Sequence, residues 1–228
     1  LLYQTARYVD IYKALEDIQR DTKLTAEERD ELKKYTRLAD AFTPLAKGMN
    51  SEYASQAAYD AISIHGGSGF IMEYKSQRLY RDARIFSIYE GTTQLQVVAA
   101  IRYITNGTYL GIIREMLGNE VAESLKPLQT RVAKLAEQYE EVLNEVKEEG
   151  NQEKQDFVAR RLFNMTADII MSLLILDDAT RSPELFVKSA NVFVRHAEEE
   201  VTGHYAYIKN LCAEDLVNFR AAEVETAE

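Results

Sequence analysis

The most informative stretch of this sequence is Tyr89-Glu90-Gly91-Thr92, which is reached through residues 81–88. It places one carboxylate between an aromatic ring and a glycine, at a turn that leads into a predicted helix. A ligand that closes over this carboxylate would desolvate it and raise its pKa toward the range of a general base. The glycine lets a ligand approach the backbone, and the N–H groups that open the next helix favour an incoming oxygen. The tetrapeptide therefore favours proton abstraction next to a carbonyl whose oxygen is held by backbone donors.

The composition indicates an all-α protein. The 228 residues include only three prolines, and no stretch alternates apolar and polar residues with period two. The formal net charge of −10 argues against nucleic acid or an anionic membrane surface as a partner. The longest apolar run, residues 169–176, is too short to span a bilayer. The single cysteine, Cys212, cannot form an internal disulfide, so we expect a reducing compartment, which is the cytoplasm if the protein is bacterial.

The first half of the sequence predicts a bundle of helices with clear boundary signals. Thr25, with Glu28 three residues later, is typical of a capping box that opens a helix. Thr43-Pro44 fits an N-cap followed by proline at the first helical position, so we expect a new helix to begin there. The glycine-rich segment 66–69 predicts a turn. The predicted helices span residues 1–20, 25–42, 43–64, 77–84 and 93–105.

The second half predicts a separate bundle of long helices. Apolar residues with alternating spacings of three and four form a heptad-like seam: Leu125, Leu128, Val132, Leu135, Tyr139, Val142 and Val146. Three long helices with short connections should pack antiparallel. We therefore predict an all-α fold, with an antiparallel helical bundle over residues 1–108 and a second bundle of long helices over 109–228. No chemical constellation is evident in this half, so packing or assembly is its expected role, and residues 221–228 are expected to fray.

The last long helix carries three residues that could bind a metal. His196, Glu200 and His204 recur at intervals of four and could line up as ligands. Gly203 weakens the helix at that point and no fourth ligand is evident, so we predict no metal.

The region 54–102 resembles the carboxy-terminal helical domain of the acyl-CoA dehydrogenases. The matching segments are residues 61–70, 78–83 and 88–96, in the same order and spacing. Residues 110–228 look like the helical extension that one branch of the family adds at its carboxy end. Because residues 1–4 already read as helix interior, we expect the chain to be a piece of a longer protein and to be inactive alone.

The resemblance implies an activity and a base. Such enzymes oxidise an acyl-CoA thioester to the 2,3-enoyl product, with FAD accepting the β-hydride and an electron-transfer flavoprotein usually reoxidising it. Glu90 would be the catalytic base that removes the α-proton, and its backbone N–H would form half of an oxyanion hole. Tyr89 and Gly91 would bind the substrate, with Gly91 leaving room for the thioester.

The resemblance also implies cofactor contacts and an oligomer. Thr92 and Gln94 match positions that touch FAD in the same subunit. Gly66 and Gly67 match a turn that contacts the flavin of a neighbouring subunit, which implies a homodimer or homotetramer. Ser63 stands where the family commonly carries glutamine, so that contact with the neighbouring flavin is not carried over.

Three other functions are alternatives to an acyl-CoA dehydrogenase. An acyl-CoA oxidase shares the fold and differs in how oxygen reaches the reduced flavin. A nitroalkane-oxidising relative would favour aspartate at position 90, so Glu90 speaks against it. The non-enzymatic alternative is a helical oligomerisation module without catalysis.

Overall fold

The computed structural model describes residues 1–219, so the predicted fraying of residues 221–228 lies outside it. Within the described residues the secondary structure is helical and contains no strand, which confirms the all-α class. The helices are α1 (Leu2–Asp21), α2 (Ala26–His65), α3 (Gly67–Phe70), α4 (Ser76–Ile85), α5 (Thr93–Thr105), α6 (Thr108–Leu117), α7 (Lys126–Glu148), α8 (Gln152–Arg181), α9 (Pro183–Asn210) and α10 (Ala213–Phe219). None of the helices among residues 1–219 is both long and apolar enough to cross a bilayer.

The chain forms two compact units. The first ends at Ile112 and the second begins at Ile113, so that α6 contributes residues to both. The division into domains after residue 108 stays a prediction.

The first unit is organised around α2, which packs against α1, α3, α4 and α5. The predicted capping box opens this helix: Thr25 Oγ1 accepts a hydrogen bond from the Glu28 N–H at 3.2 Å, and Glu28 Oε2 accepts one from the Thr25 N–H at 2.7 Å. The buried stretch of α2 begins at Ala39 and includes the fully buried Phe42 and Leu45. One 40-residue helix therefore supplies the surface on which the other elements of this unit pack.

The predicted helix start at Thr43-Pro44 is wrong, because α2 continues through Pro44 without a break. Thr43 Oγ1 donates to the Ala39 carbonyl at 2.7 Å instead of capping a new helix. Proline in a helix interior cannot donate to the carbonyl four residues earlier, and its ring crowds that turn. In the same turn the buried Tyr109 hydroxyl donates to the Ala41 carbonyl at 2.5 Å. Burial of this segment and the bond from Tyr109 offset the cost of the proline.

The glycine-rich segment forms a turn followed by the short helix α3. Gly66 ends α2 with a φ of 61°, a left-handed conformation that glycine adopts at low cost. Gly69 is buried against α2: a Cβ there would lie 2.5 Å from the Ile62 carbonyl oxygen. The glycine at position 69 is therefore required by close packing.

The second unit is built on α7, α8 and α9, each of which contacts the other two. All seven residues of the predicted seam are buried. Paired side chains show that α7 and α9 run parallel: Arg131 meets Glu198 near one end of the helices, and Glu145 meets Lys209 near the other. Phe157 meets Tyr207, while Asn164 meets His204, so α8 runs antiparallel to α9. Helices that follow one another in the chain, α7 with α8 and α8 with α9, are thus antiparallel, as predicted, whereas α7 and α9 are parallel.

Candidate active site

The Tyr89–Thr92 segment lies in the loop between α4 and α5, as predicted. Glu90 has a φ of 51° and is the one non-glycine residue with positive φ among residues 1–219. Gly91 follows with a φ of 93°. A side chain larger than hydrogen is disfavoured in this conformation by about 1–2 kcal/mol, and such strain persists only where surrounding contacts maintain it.

The Gly91 carbonyl is held by two side chains. Lys47 Nζ, from the buried face of α2, donates to it at 2.5 Å. Gln96 Nε2, from the first turn of α5, donates to it at 3.2 Å. Glycine is favoured at position 91 by its φ of 93°, and an added Cβ would also lie 2.8 Å from Gln96 Nε2, so that this side chain would have to shift.

A second set of contacts fixes the beginning of α5. Thr93 Oγ1 donates to Glu52 Oε1 at 2.7 Å, and the Thr93 N–H donates to the Ser87 carbonyl at 3.1 Å. Thr92 is the N-cap, since its hydroxyl oxygen accepts a hydrogen bond from the Leu95 N–H at 3.3 Å. Thr92 and Thr93 therefore anchor the loop to both α2 and α5.

The loop forms one wall of a cleft of about 600 Å³ in the first unit. Glu90 and Tyr89 line it from the loop, and α1 and α2 form the opposite side with residues that include Thr5, Ala46 and Ala54. The Glu90 side chain is exposed, and neither its carboxylate nor its N–H has a hydrogen-bond partner within residues 1–219. Both groups are thus available to a bound ligand. Desolvation of Glu90 on ligand binding stays a prediction.

The residues predicted to contact FAD occupy two separate places. Gly66 and Gly67 are exposed at the carboxy end of α2, and a Cβ at either position would meet no atom within 4 Å. Glu52, where the loop is anchored, lies 14 residues before Gly66, or about 20 Å along the helix axis. Gln94 is exposed in the first turn of α5, close to the N-cap Thr92. The open backbone at the glycines and the donors at the helix start fit a polar cofactor such as FAD.

The second unit contributes no metal-binding cluster among residues 1–219. His204 is half-buried, and its ring nitrogens face donor groups: Arg161 lies 3.5 Å from Nδ1 and Asn164 lies 3.3 Å from Nε2. His196, on the same helix, is exposed.

Sequence reasoning did not identify the three side chains that hold the loop, namely Lys47, Glu52 and Gln96. Lys47 and Gly91 are 44 residues apart, so no local pattern links them. The sequence feature that could have pointed to Lys47 and Glu52 is their closeness to each other in a part of α2 that otherwise consists mainly of apolar and small residues. Charged residues in a segment that is largely buried usually have a partner.

Comparison with known proteins gives a consistent result over nearly the whole chain. Residues 6–104 match the family model described as "Acyl-CoA dehydrogenase, C-terminal domain". Residues 105–216 match a second model described as "Acyl-CoA dehydrogenase C terminal".

Two curated relatives match a short segment of the chain. A 3-(aryl)acrylate reductase of Clostridium sporogenes is 50% identical over 58 residues, which is 25% of this chain and 15% of that protein. The caffeyl-CoA reductase-Etf complex subunit CarC of Acetobacterium woodii is 52% identical over 52 residues, 23% of this chain and 14% of that protein. The matched segment is thus a small part of each relative's length.

Two solved structures share the fold over most of the chain. An acyl-CoA dehydrogenase complexed with FAD from Bacillus anthracis is 22% identical, with a TM-score of 0.63 over 93% of this chain and 40% of that one. Caenorhabditis elegans ACDH-11 in complex with C11-CoA is 21% identical, with a TM-score of 0.60 over 95% of this chain and 34% of that one.

Proposed function

This chain belongs to the acyl-CoA dehydrogenase family, and on that premise we propose that the full-length protein oxidises an acyl-CoA thioester to its 2,3-enoyl-CoA product. The observation that supports this most directly is the location of Glu90 and its lack of a hydrogen-bond partner in the described part of the chain. Glu90 lines an apolar-walled cleft, on a loop whose backbone is held by side chains from α2 and α5, and its carboxylate has no hydrogen-bond partner among residues 1–219.

In the proposed reaction Glu90 takes the proton from the α-carbon while a hydride leaves the β-carbon. The two C–H bonds are replaced by the new carbon–carbon double bond, so the substrate loses one proton and one hydride, which together are two protons and two electrons. The Glu90 N–H donates to the thioester oxygen and stabilises the negative charge that develops there. Gly91 allows the thioester close to the backbone, and Tyr89 forms part of the substrate wall. Bound FAD supplies the acceptor for the hydride.

The cofactor and partners follow from the same premise. Thr92 and Gln94 would hold FAD in their own subunit, and Gly66 and Gly67 would contact the flavin of a neighbouring subunit in a homodimer or homotetramer. An electron-transfer flavoprotein is the proposed electron acceptor, and the Acetobacterium woodii relative, named as part of an Etf complex, supports this.

Glu90→Gln in the full-length flavoprotein tests the proposal, because it keeps the side-chain shape and removes the base. We expect flavin reduction by acyl-CoA to slow by about 10²–10⁴-fold, the usual contribution of a general base, with FAD content unchanged. Stopped-flow bleaching of the flavin measures the rate. Glu31→Gln, an exposed residue on α2, is the matched control. Near-wild-type bleaching by the Glu90 variant would exclude it as the base.

A second candidate is the reverse reaction, reduction of a 2,3-unsaturated thioester. The two relatives with 50% and 52% identity are both named reductases, which favours this candidate. Protonated Glu90 would then deliver the proton to the α-carbon. Supplying an enoyl-CoA together with a reductant, and comparing that rate with oxidation of the saturated thioester, decides between the two directions. Hydrogen peroxide release would instead indicate an oxidase, and failure to retain FAD a non-catalytic helical module.

A further inference from the structure

Two consecutive residues of the α4–α5 loop, Glu90 and Gly91, have left-handed backbone conformations. Glycine adopts this conformation readily, whereas glutamate does so only where other contacts compensate for the strain. The side chain and N–H of Glu90 make no hydrogen bond within residues 1–219, so Glu90 does not maintain the conformation itself. The contacts that maintain it must lie on neighbouring residues.

The nearest fixed point after Glu90 is the Gly91 carbonyl. Gln96, five residues further along, holds it from within the same loop-to-helix segment. Among residues 1–219, Lys47 is the one side chain that joins this carbonyl to a different element, α2, with an ammonium group as the donor. A charged donor forms a stronger hydrogen bond than a neutral one. Lys47 therefore makes the stronger of the two contacts to this carbonyl, and it ties the Gly91 backbone to α2, while the Thr93–Glu52 bond ties the start of α5 to the same helix.

We propose that Lys47 is a positioning residue for the reaction, holding Glu90 in its left-handed conformation through the Gly91 carbonyl. This inference rests on the proposed function, because it assumes that Glu90 is the base. If the Gly91 carbonyl were released, the backbone at Gly91 could move, the φ of Glu90 could relax, and its carboxylate and N–H would then shift relative to the cleft. An error of about 1 Å in the placement of a reacting group can lower a rate about 100-fold.

A direct role of Lys47 in binding substrate is the competing explanation, since Lys47 also lines the cleft. The two explanations differ in what they predict for kinetics. A positioning role lowers kcat and leaves substrate affinity nearly unchanged, whereas a binding role raises the KM.

The test uses Lys47→Met and Lys47→Arg in the full-length flavoprotein. Methionine keeps the length and removes the donor, and we expect flavin bleaching by acyl-CoA to slow about 10- to 100-fold. FAD content and KM should stay within about threefold, and an α-deuterated substrate should show that proton removal limits the slower rate. Arginine retains a charged donor and should restore most of the loss. Lys33→Met, at an exposed position of the same helix, is the matched control.

A crystal structure of the Lys47→Met protein gives a readout independent of activity. We expect φ of Glu90 to leave the left-handed region. A slower rate with φ unchanged, or a raised KM with kcat unchanged, would overturn the positioning role.

The outcomes separate this inference from the proposed function. If Glu90→Gln bleaches the flavin at the wild-type rate, the assignment of the base fails. If Glu90→Gln is inactive and Lys47→Met is fully active, the base stands and the role of Lys47 fails. Should Lys47→Met lose FAD, Gln96→Met removes the other donor to the same carbonyl. We expect a smaller loss of rate in that variant, and an unchanged rate would count against positioning through this carbonyl.

Discussion

At the scale of single residues, Gly69 shows how packing alone can require a glycine. A Cβ at this position would lie 2.5 Å from the Ile62 carbonyl oxygen and 2.9 Å from the Ile62 Cα, both backbone atoms of α2 that have little room to move. We expect Gly69→Ala to lower the free energy of unfolding by about 1–3 kcal/mol, the usual cost of overpacking. Urea unfolding followed by circular dichroism measures the change.

Gly67, two residues earlier in α3, is the matched control for that substitution. An added Cβ there meets no atom within 4 Å. Gly67→Ala should therefore stay within about 0.5 kcal/mol of wild type. Equal losses for the two variants would show that close contact with Ile62 is not the reason for glycine at position 69.

The residues of the candidate site differ in how far they could be predicted from sequence. The Thr25 capping box and the Thr92 turn depend on residues three positions apart, so a local pattern identifies them. The left-handed conformation of Glu90 and its support from Lys47 depend on a contact between segments 44 residues apart. The sequence alone therefore points to Glu90 as a candidate base, and it does not reveal which side chains hold the loop of Glu90.

At the scale of secondary-structure elements, α2 shows where local patterns mislead. Proline after threonine fits both a helix start and a strained helix interior, and tertiary contacts decide between them. Phe42 and Leu45 on either side of Pro44 are fully buried, and Tyr109 binds the Ala41 carbonyl in the same turn. These contacts favour one continuous helix. They involve partners far away in the sequence, so the residues around Pro44 do not reveal them.

The α8–α9 contact predicts how the stability of the second unit depends on pH. Burial, with a smaller contribution from the charge of Arg161, lowers the pKa of His204 below its ordinary value of 6.5, although Glu200 opposes the shift. The unfolded chain then binds the proton more readily than the folded one. The contribution is fully present above about pH 6.5 and is lost as the pH falls through 6.5 toward the lower native value.

We therefore expect the free energy of unfolding to decrease more steeply between pH 7 and pH 5 in wild type than in His204→Gln, which cannot take up the proton. Urea unfolding at several pH values measures the slope. His196→Gln, at an exposed position of the same helix, is the matched control and should keep the wild-type slope. Identical slopes for all three proteins would contradict the assignment to His204.

At the scale of the whole molecule, the end of the first unit can be tested with fragments. Tyr109 is fully buried, packs edge-on against Tyr103 and donates to the Ala41 carbonyl, so a fragment that ends at residue 108 lacks part of this core. We expect fragment 1–112 to be more stable than fragment 1–108 by at least about 3 kcal/mol, the usual cost of deleting a large buried aromatic side chain. Urea unfolding of both fragments provides the comparison, and equal stabilities would support the predicted boundary after residue 108.

The length of α2 fixes the spacing between the two groups of predicted FAD contacts, Thr92 with Gln94 and Gly66 with Gly67. Lys47 and Glu52, which hold the loop of the candidate base, and Gly66, which ends the helix, all belong to one unbroken helix. Adding one residue between Glu52 and Gly66 would rotate the glycine turn by about 100° about the helix axis and displace it by about 1.5 Å. Related proteins that keep both contacts can therefore gain or lose residues in the loops of this unit, but not in this part of α2.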